Sequence, residues 1–163
     1  MVLSHKHFTA TAFVLHPNHD KILLHWHKKV NEWLPPGGHI ENNEIPEEAV
    51  IREVYEESGL SIKLFSNKDL FKKIDPVKEL EKPESILLEP IDDPKEGKHF
   101  HIDMIYFCKL VEKKYSLKPG WLWVLKEDLL RDLPLMTPDG SFKTIPEDVK
   151  SLAIKAFEYA EKK

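Results

Sequence analysis

Apolar and polar residues alternate over several short stretches of the chain, and in two places the period lengthens to that of a helix. Phe8–Leu15, rich in Phe, Thr and Val, reads as a strand. A Pro17-Asn18-His19-Asp20 turn follows, and Lys21–His27 makes the second arm of a hairpin. Alternation in that arm puts Ile22, Leu24 and Trp26 on one face and Leu23, His25 and His27 on the other. Pro35-Pro36-Gly37-Gly38 is a rigid segment running into a permissive one, and His39–Ile40 reads as a short strand. Pro46–Ser58 is the clearest helix. Pro46 suits its first turn, Glu47 and Glu48 face the positive N-terminal end, and Gly59 fits the stop. Strands are expected at Leu60–Phe65, Ser85–Glu89, Phe100–Leu110 and Trp121–Leu125, with Asp92–Lys98 as a hairpin loop and Lys126–Leu133 as a short helix. Thr144 with Glu147 resembles a capping box. Val149, Leu152, Ala153 and Ala156 then recur at i, i+3, i+4 and i+7, predicting an amphipathic C-terminal helix. Strands and helices mix without regular βαβ alternation, so the expectation is an α/β fold, a mixed sheet flanked by helices, in one domain spanning residues 1–163.

Composition narrows the function classes. Charged residues make up 32% and the net charge is −4, so no strong field favours nucleic acid. Cys108 is the single cysteine, which excludes an internal disulfide and a zinc-type cysteine cluster. Its strand context predicts an inert core thiol. No apolar run approaches the ~20 residues of a membrane helix. With no secretion signal in the N-terminal sequence, a cytoplasmic protein is the default expectation. Of 24 basic residues only Arg52 and Arg131 are arginine, so the arginine at position 52 suggests a need for a planar, bidentate fork.

The helix carries the candidate chemistry. With Glu53 at 0° and about 100° per residue, Glu56 falls near −60° and Glu57 near +40°, all within an arc of about 100°. Arg52 flanks this stripe beside Glu56, while Val50, Val54, Ser58, Ile51 and Tyr55 make the expected buried face. Like charges at i, i+3 and i, i+4 cost roughly 0.2–0.5 kcal/mol each. Glu56 and Glu57 also sit in the last turn, where the helix dipole disfavours anions by roughly 0.3–1 kcal/mol each. A divalent cation would relieve that repulsion, and an all-oxygen donor set suits Mg²⁺ before Zn²⁺. A solvated acidic face would look the same on the helix alone.

The surrounding spacing goes further. Gly38, five residues, Glu44, seven residues, then Arg52-Glu53-Val54-Tyr55-Glu56-Glu57-Ser58-Gly59-Leu60 resembles the Nudix box, G-x5-E-x7-R-E-U-x-E-E-x-G-U with U aliphatic. Seven fixed and two aliphatic positions agree, a coincidence on the order of 10⁻⁸ per window at ordinary residue frequencies. The resemblance implies a Nudix-type α/β/α sandwich and a metal-dependent hydrolase acting on a diphosphate bond. It implies Glu53, Glu56, Glu57 and the Gly38 carbonyl as ligands to Mg²⁺, with Mn²⁺ as a substitute. Arg52 would orient the carboxylates, Glu44 would brace the loop, and Gly59 would serve the motif structurally. Glu56 or Glu53 is the first choice of general base. Glu89, Asp92, Asp93, Glu96 and Asp103 are alternatives, because some family members use an acid outside the box.

The implied substrate is a small nucleoside-diphosphate-linked molecule: a nucleoside triphosphate, ADP-ribose or a nucleotide sugar. Pro76, 16 residues beyond Leu60, weakly resembles the ADP-ribose subgroup. The Pro-rich 66–98 segment is either a specificity insertion or a connector. Family resemblance also allows a homodimer. The competing readings are a Nudix-fold nucleotide-binding module with weak or no turnover, and an isopentenyl diphosphate isomerase, which would call for a cysteine in an early loop.

Nine histidines include three i, i+2 pairs: His5 and His7, His25 and His27, His99 and His101. Each pair projects from one face of a strand. His99, His101, Asp103, Ile105 and Phe107 share a face. His25, His27, His99 and His101, with Asp103, are expected to line a substrate cleft, bonding phosphate or base or holding a second metal. His5 and His7 read as a solvated strand end. Trp33, just before the Pro-Pro-Gly-Gly segment, is the candidate for stacking a base.

Overall fold

A computed structural model of the chain describes residues 5–65, 76–112 and 114–162. Its elements are β1 (Lys6–Leu15), β2 (Lys21–His27), β3 (Glu32–Leu34), β4 (Gly37–His39), α1 (Pro46–Ser58), β5 (Ile62–Leu64), β6 (Ser85–Asp93), β7 (Gly97–Leu110), β8 (Trp121–Leu125), α2 (Lys126–Leu130), β9 (Leu135–Met136), β10 (Phe142–Lys143) and α3 (Glu147–Glu161).

The main sheet runs β3-β2-β1-β7-β5, with β4 on β1, β6 on β7 and β8 on β2. It is mixed. β1 and β7 pair in parallel over ten positions, from Lys6↔Phe100 to Leu15↔Lys109, while the other pairings are antiparallel. A parallel neighbour so distant in sequence needs a long crossover, and α1 lies within it. β9 and β10 form a separate two-stranded sheet.

Period-2 alternation in β1 and β7 sorts the core into two layers. Ala10, Ala12, Val14, Tyr106 and Cys108 pack with Val50 and Val54 of α1. Phe13, Leu15, Ile105 and Phe107 pack with Val149, Ala153, Ala156 and Phe157 of α3 on the opposite face. This is the expected α/β fold, a mixed sheet flanked by helices. Cys108 is fully buried, and burial pushes its thiol up.

Several elements differ from the sequence reading. β1 and β2 meet only at Leu15↔Ile22 and then diverge, because β2 takes its ladder from β8 and β3. The short strand sits at Gly37–His39 rather than His39–Ile40. β6 and β7 run on to Asp93 and from Gly97, and the Asp93 carboxylate accepts the Lys95 and Glu96 amides at 2.7 and 3.1 Å to close the tight turn. α3 starts on Pro146 with no side-chain cap, so Thr144 and Glu147 form no capping box. On α1, Ala49 is buried, whereas Ile51 is 41% and Tyr55 61% exposed. The sheet covers only the narrow Val50–Val54–Ser58 stripe, so those two residues lie beyond its reach. The expected 66–98 insertion lies partly outside the described residues, at 66–75.

Candidate active site

Local sequence positions the helix and its carboxylates. Isoleucine has no side-chain oxygen with which to cap, so Glu48 supplies half of a capping box by accepting the Ile45 amide at 3.3 Å. The helix ends where Gly59 takes a left-handed φ of 80° and donates its amide to the Tyr55 carbonyl at 3.0 Å. A side chain would be strained there.

Arg52 is the hub of the box. Its Nε and Nη2 donate to the two Glu44 carboxylate oxygens at 2.9 and 3.0 Å, the bidentate fork that lysine cannot make. Nη1 donates to Glu53 at 2.8 Å and to Glu56 at 3.3 Å, and Nη2 also donates to the His39 carbonyl at 3.0 Å. Glu44 accepts the Glu41 amide at 3.0 Å. The Arg52 hydrogen bonds hold the Glu44 carboxyl below its ordinary range, and Glu44 in turn raises the guanidinium.

The Pro-Pro-Gly-Gly segment lies under the carboxylates. A Cβ built on Gly38 would stand 2.5 Å from the Glu53 carboxylate, so only glycine admits that carboxylate. One residue earlier, the Gly37 amide donates to Glu57 at 3.1 Å. Burial pushes the Glu57 carboxyl up to about 7, with repulsion from Glu53 and Glu56 adding to it against that single hydrogen bond.

Glu57 forms one wall of a cleft of about 190 Å³ between β1 and the α3 side of the sheet. Glu89 of β6, Asp103 of β7 and Asp148 of α3 line the same cleft. Burial, then repulsion by Asp103 and Asp148, pushes Glu89 up to about 7. Asp103 accepts the Thr9 hydroxyl at 2.8 Å, and burial nonetheless raises its carboxyl. The cleft thus gathers carboxylates from both ends of the chain, and no cation is paired with Glu57, Glu89 or Asp103 among the described residues.

A sequence profile of the NUDIX domain matches residues 5–139. The chain belongs to the Nudix hydrolase family. It is 33% identical over 122 residues to a probable DHNTP pyrophosphohydrolase of Lactococcus lactis subsp. cremoris (strain MG1363), a match covering 73% of this chain and 64% of that protein. The structure superposes on a NUDIX-family hydrolase of Clostridium perfringens with a TM-score of 0.75 at 34% identity, covering 96% and 99% of the two chains. The Ap4A hydrolase of C. elegans shares the fold, with a TM-score of 0.62 at 16% identity and coverage of 96% and 99%.

Within this Nudix fold the other expected site residues scatter. His25 and His27 line the cleft beside Glu57. Burial, then the neighbouring His27, lowers His25 to about 4, so its ring is neutral in ordinary buffers; burial also lowers His27. Nδ1 of each is buried and meets no partner among the described residues. Asp103 is in the cleft, but His99 and His101 are not. They sit further along β7, with His7 and His39. Trp33 is 2% exposed, packed in the core at 5.3 Å from Trp26, which leaves no open face for a base. Asp92 and Glu96 are exposed at the β6–β7 turn, where Asp93 is occupied in closing the turn. The sequence reading missed Thr9, Thr11 and Asp148, which only the β1–β7 pairing and the packing of α3 bring to Asp103 and Glu89.

Proposed function

We propose that this Nudix protein is a metal-dependent pyrophosphohydrolase, cutting a phosphoanhydride bond in a nucleoside triphosphate, ADP-ribose or nucleotide sugar. One observation carries the reading: Arg52 gathers Glu44, Glu53 and Glu56 while Glu57 is held by Gly37 at the cleft wall. The donors fit a hard divalent ion. They are all oxygen, and Glu57 is raised by burial and like charge that such an ion would offset. Glu53, Glu56, Glu57 and the Gly38 carbonyl are the residues to hold Mg²⁺ or Mn²⁺. Bound there, the metal would neutralise phosphate oxygens and acidify the attacking water.

The remaining work falls to the chain itself. Arg52 orients Glu53 and Glu56, and Glu44 braces Arg52. Glu53 is committed to Arg52 and pressed on Gly38, and Glu56 is shared with the same guanidinium, so both are poorly placed to collect a proton. Glu89 lines the same cleft as Glu57, has no cation partner among the described residues and is pushed up to about 7, which suits a general base. His25 and His27 line the same cleft, where their rings can meet substrate oxygens or a base.

The test is a Mg²⁺-dependent hydrolysis screen over nucleoside triphosphates, ADP-ribose, nucleotide sugars, dinucleoside polyphosphates and DHNTP, the last taken from the name of the Lactococcus relative. Glu56→Gln and Glu89→Gln proteins run beside the native one. Turnover that requires Mg²⁺ and collapses in Glu56→Gln supports the reading. Substrate binding without turnover on any compound would replace it with a nucleotide-binding module, and failure to bind Mg²⁺ would remove the site assignment.

A further inference from the structure

Four imidazoles meet at the end of the sheet beyond the cleft. His7 comes from β1, His39 from the end of β4, and His99 and His101 from β7, with Glu96 reaching in from the β6–β7 turn. Parallel pairing sets His7 opposite His101, and antiparallel pairing sets His39 opposite Thr9, two residues along β1. The ring nitrogens face one another. His7 Nδ1 is 3.2 Å from His39 Nε2, and His99 Nε2 is 3.2 Å from His101 Nε2. The Glu96 carboxylate stands 3.8 Å from His7 Nδ1 and 4.0 Å from His99 Nε2. Within each of two sets, His7–His39–His101 and His7–Glu96–His99, the donor atoms all lie within 4.8 Å of one another.

We propose that this cluster binds one divalent transition-metal ion of the Zn²⁺, Ni²⁺ or Co²⁺ class, at a site distinct from the box carboxylates, with His7 as the ligand common to both sets. Imidazole nitrogens suit these borderline ions, whereas Mg²⁺ prefers the oxygens of the box. A tetrahedral ion with metal–nitrogen bonds of about 2.0–2.1 Å sets its ligand atoms roughly 3.3 Å apart. The 3.2 Å His7–His39 nitrogen pair, within the first set, already matches that edge. His99 carries the outer contact typical of a metal-bound histidine: its Nδ1 lies 2.9 Å from the Gly97 carbonyl, which keeps the proton on Nδ1 and turns the Nε2 lone pair inward. Buried His99 is the fixed member, while exposed His39 and Glu96 are free to close on an ion.

An ion here would tie β1, β4 and β7 together. The His39 backbone also feeds the box, because its carbonyl accepts Arg52. The site is therefore expected to stiffen the strand that carries Gly38.

The experiment titrates Co²⁺ into the full chain in saturating Mg²⁺, following visible d–d absorption and the melting temperature, with Zn²⁺ as competitor. His7→Asn and His39→Ala are the test variants; His39 is exposed, so its loss does not threaten the core. Glu56→Gln is the control. The expected result is one equivalent of Co²⁺ with strong tetrahedral-type bands, displaced by Zn²⁺, and a raised melting temperature. Affinity should fall by at least about 10–100-fold in both histidine variants, the loss that even outer contacts produce, and stay unchanged in Glu56→Gln. Weak octahedral-type absorption only, or binding lost in Glu56→Gln and kept in the histidine variants, would overturn the proposal.

Discussion

Arg52 makes five hydrogen bonds with one planar group, to Glu44, Glu53, Glu56 and the His39 carbonyl. A lysine ammonium cannot reproduce that fork. Arg52→Lys is expected to lower kcat on the order of 10–100-fold with little change in KM, the signature of lost positioning. Steady-state kinetics would show it, and an unchanged kcat would remove Arg52 from that role. Gly38→Ala places a methyl against the Glu53 carboxylate, the movable end of a side chain. Activity should therefore fall by a similar order while the melting temperature barely moves; comparable losses in both would mean a folding defect instead. Glu89→Gln should cost about 10²–10⁴-fold in kcat. In the native protein kcat should rise with pH through about 7, as Glu89 ionises, and the variant should lose that limb. A surviving limb would assign the proton to another group.

Among the elements, α1 was the most legible because its signals are local. Pro46, the acidic first turn and Gly59 act within one or two turns of the helix ends, and the structure keeps all three. Gly59→Ala forces a Cβ into φ 80°, at an expected cost of about 1–2 kcal/mol by denaturant or thermal unfolding. A smaller loss would mean that the last turn rewinds without a left-handed residue. β2 was legible as a strand but not in its partners: its alternation is the same whether it pairs with β1 or with β8. Thr144 failed as a cap for a related reason. Pro146 already fixes the extended entry to α3, and the helix begins one residue later.

At the scale of the whole molecule, the cleft concentrates buried carboxyls. Glu57 and Glu89 are both raised to about 7 in the folded chain, against an ordinary 4.5. A raised folded value means that the native state holds the proton more tightly. This contribution to stability is fully present below pH 4.5 and is lost as pH rises through about 7. In the presence of a chelator the protein should therefore melt lower at about pH 8 than at about pH 5, with Glu89→Gln reducing the difference. Mg²⁺ should stabilise more at the higher pH, because it would bind the ionised carboxylates. A flat profile in chelator would show that solvent already screens these groups.

The sequence by itself determined the box, its helix and the stripe of carboxylates on it, because i, i+3 and i, i+4 neighbours meet on any helix. It also determined the facing of β2 and β7, because alternation survives any partner. Only the tertiary structure decided which acids share the cleft with Glu57, and that Trp33 is core rather than cleft. Thr9 and Asp103 are 94 residues apart and bond because β1 and β7 pair in parallel. The same pairing brings His7, which read as solvated strand end, against His99 and His101. Alternation within one strand restricts which registers bury its apolar face, but which distant strand it pairs with depends on the rest of the chain.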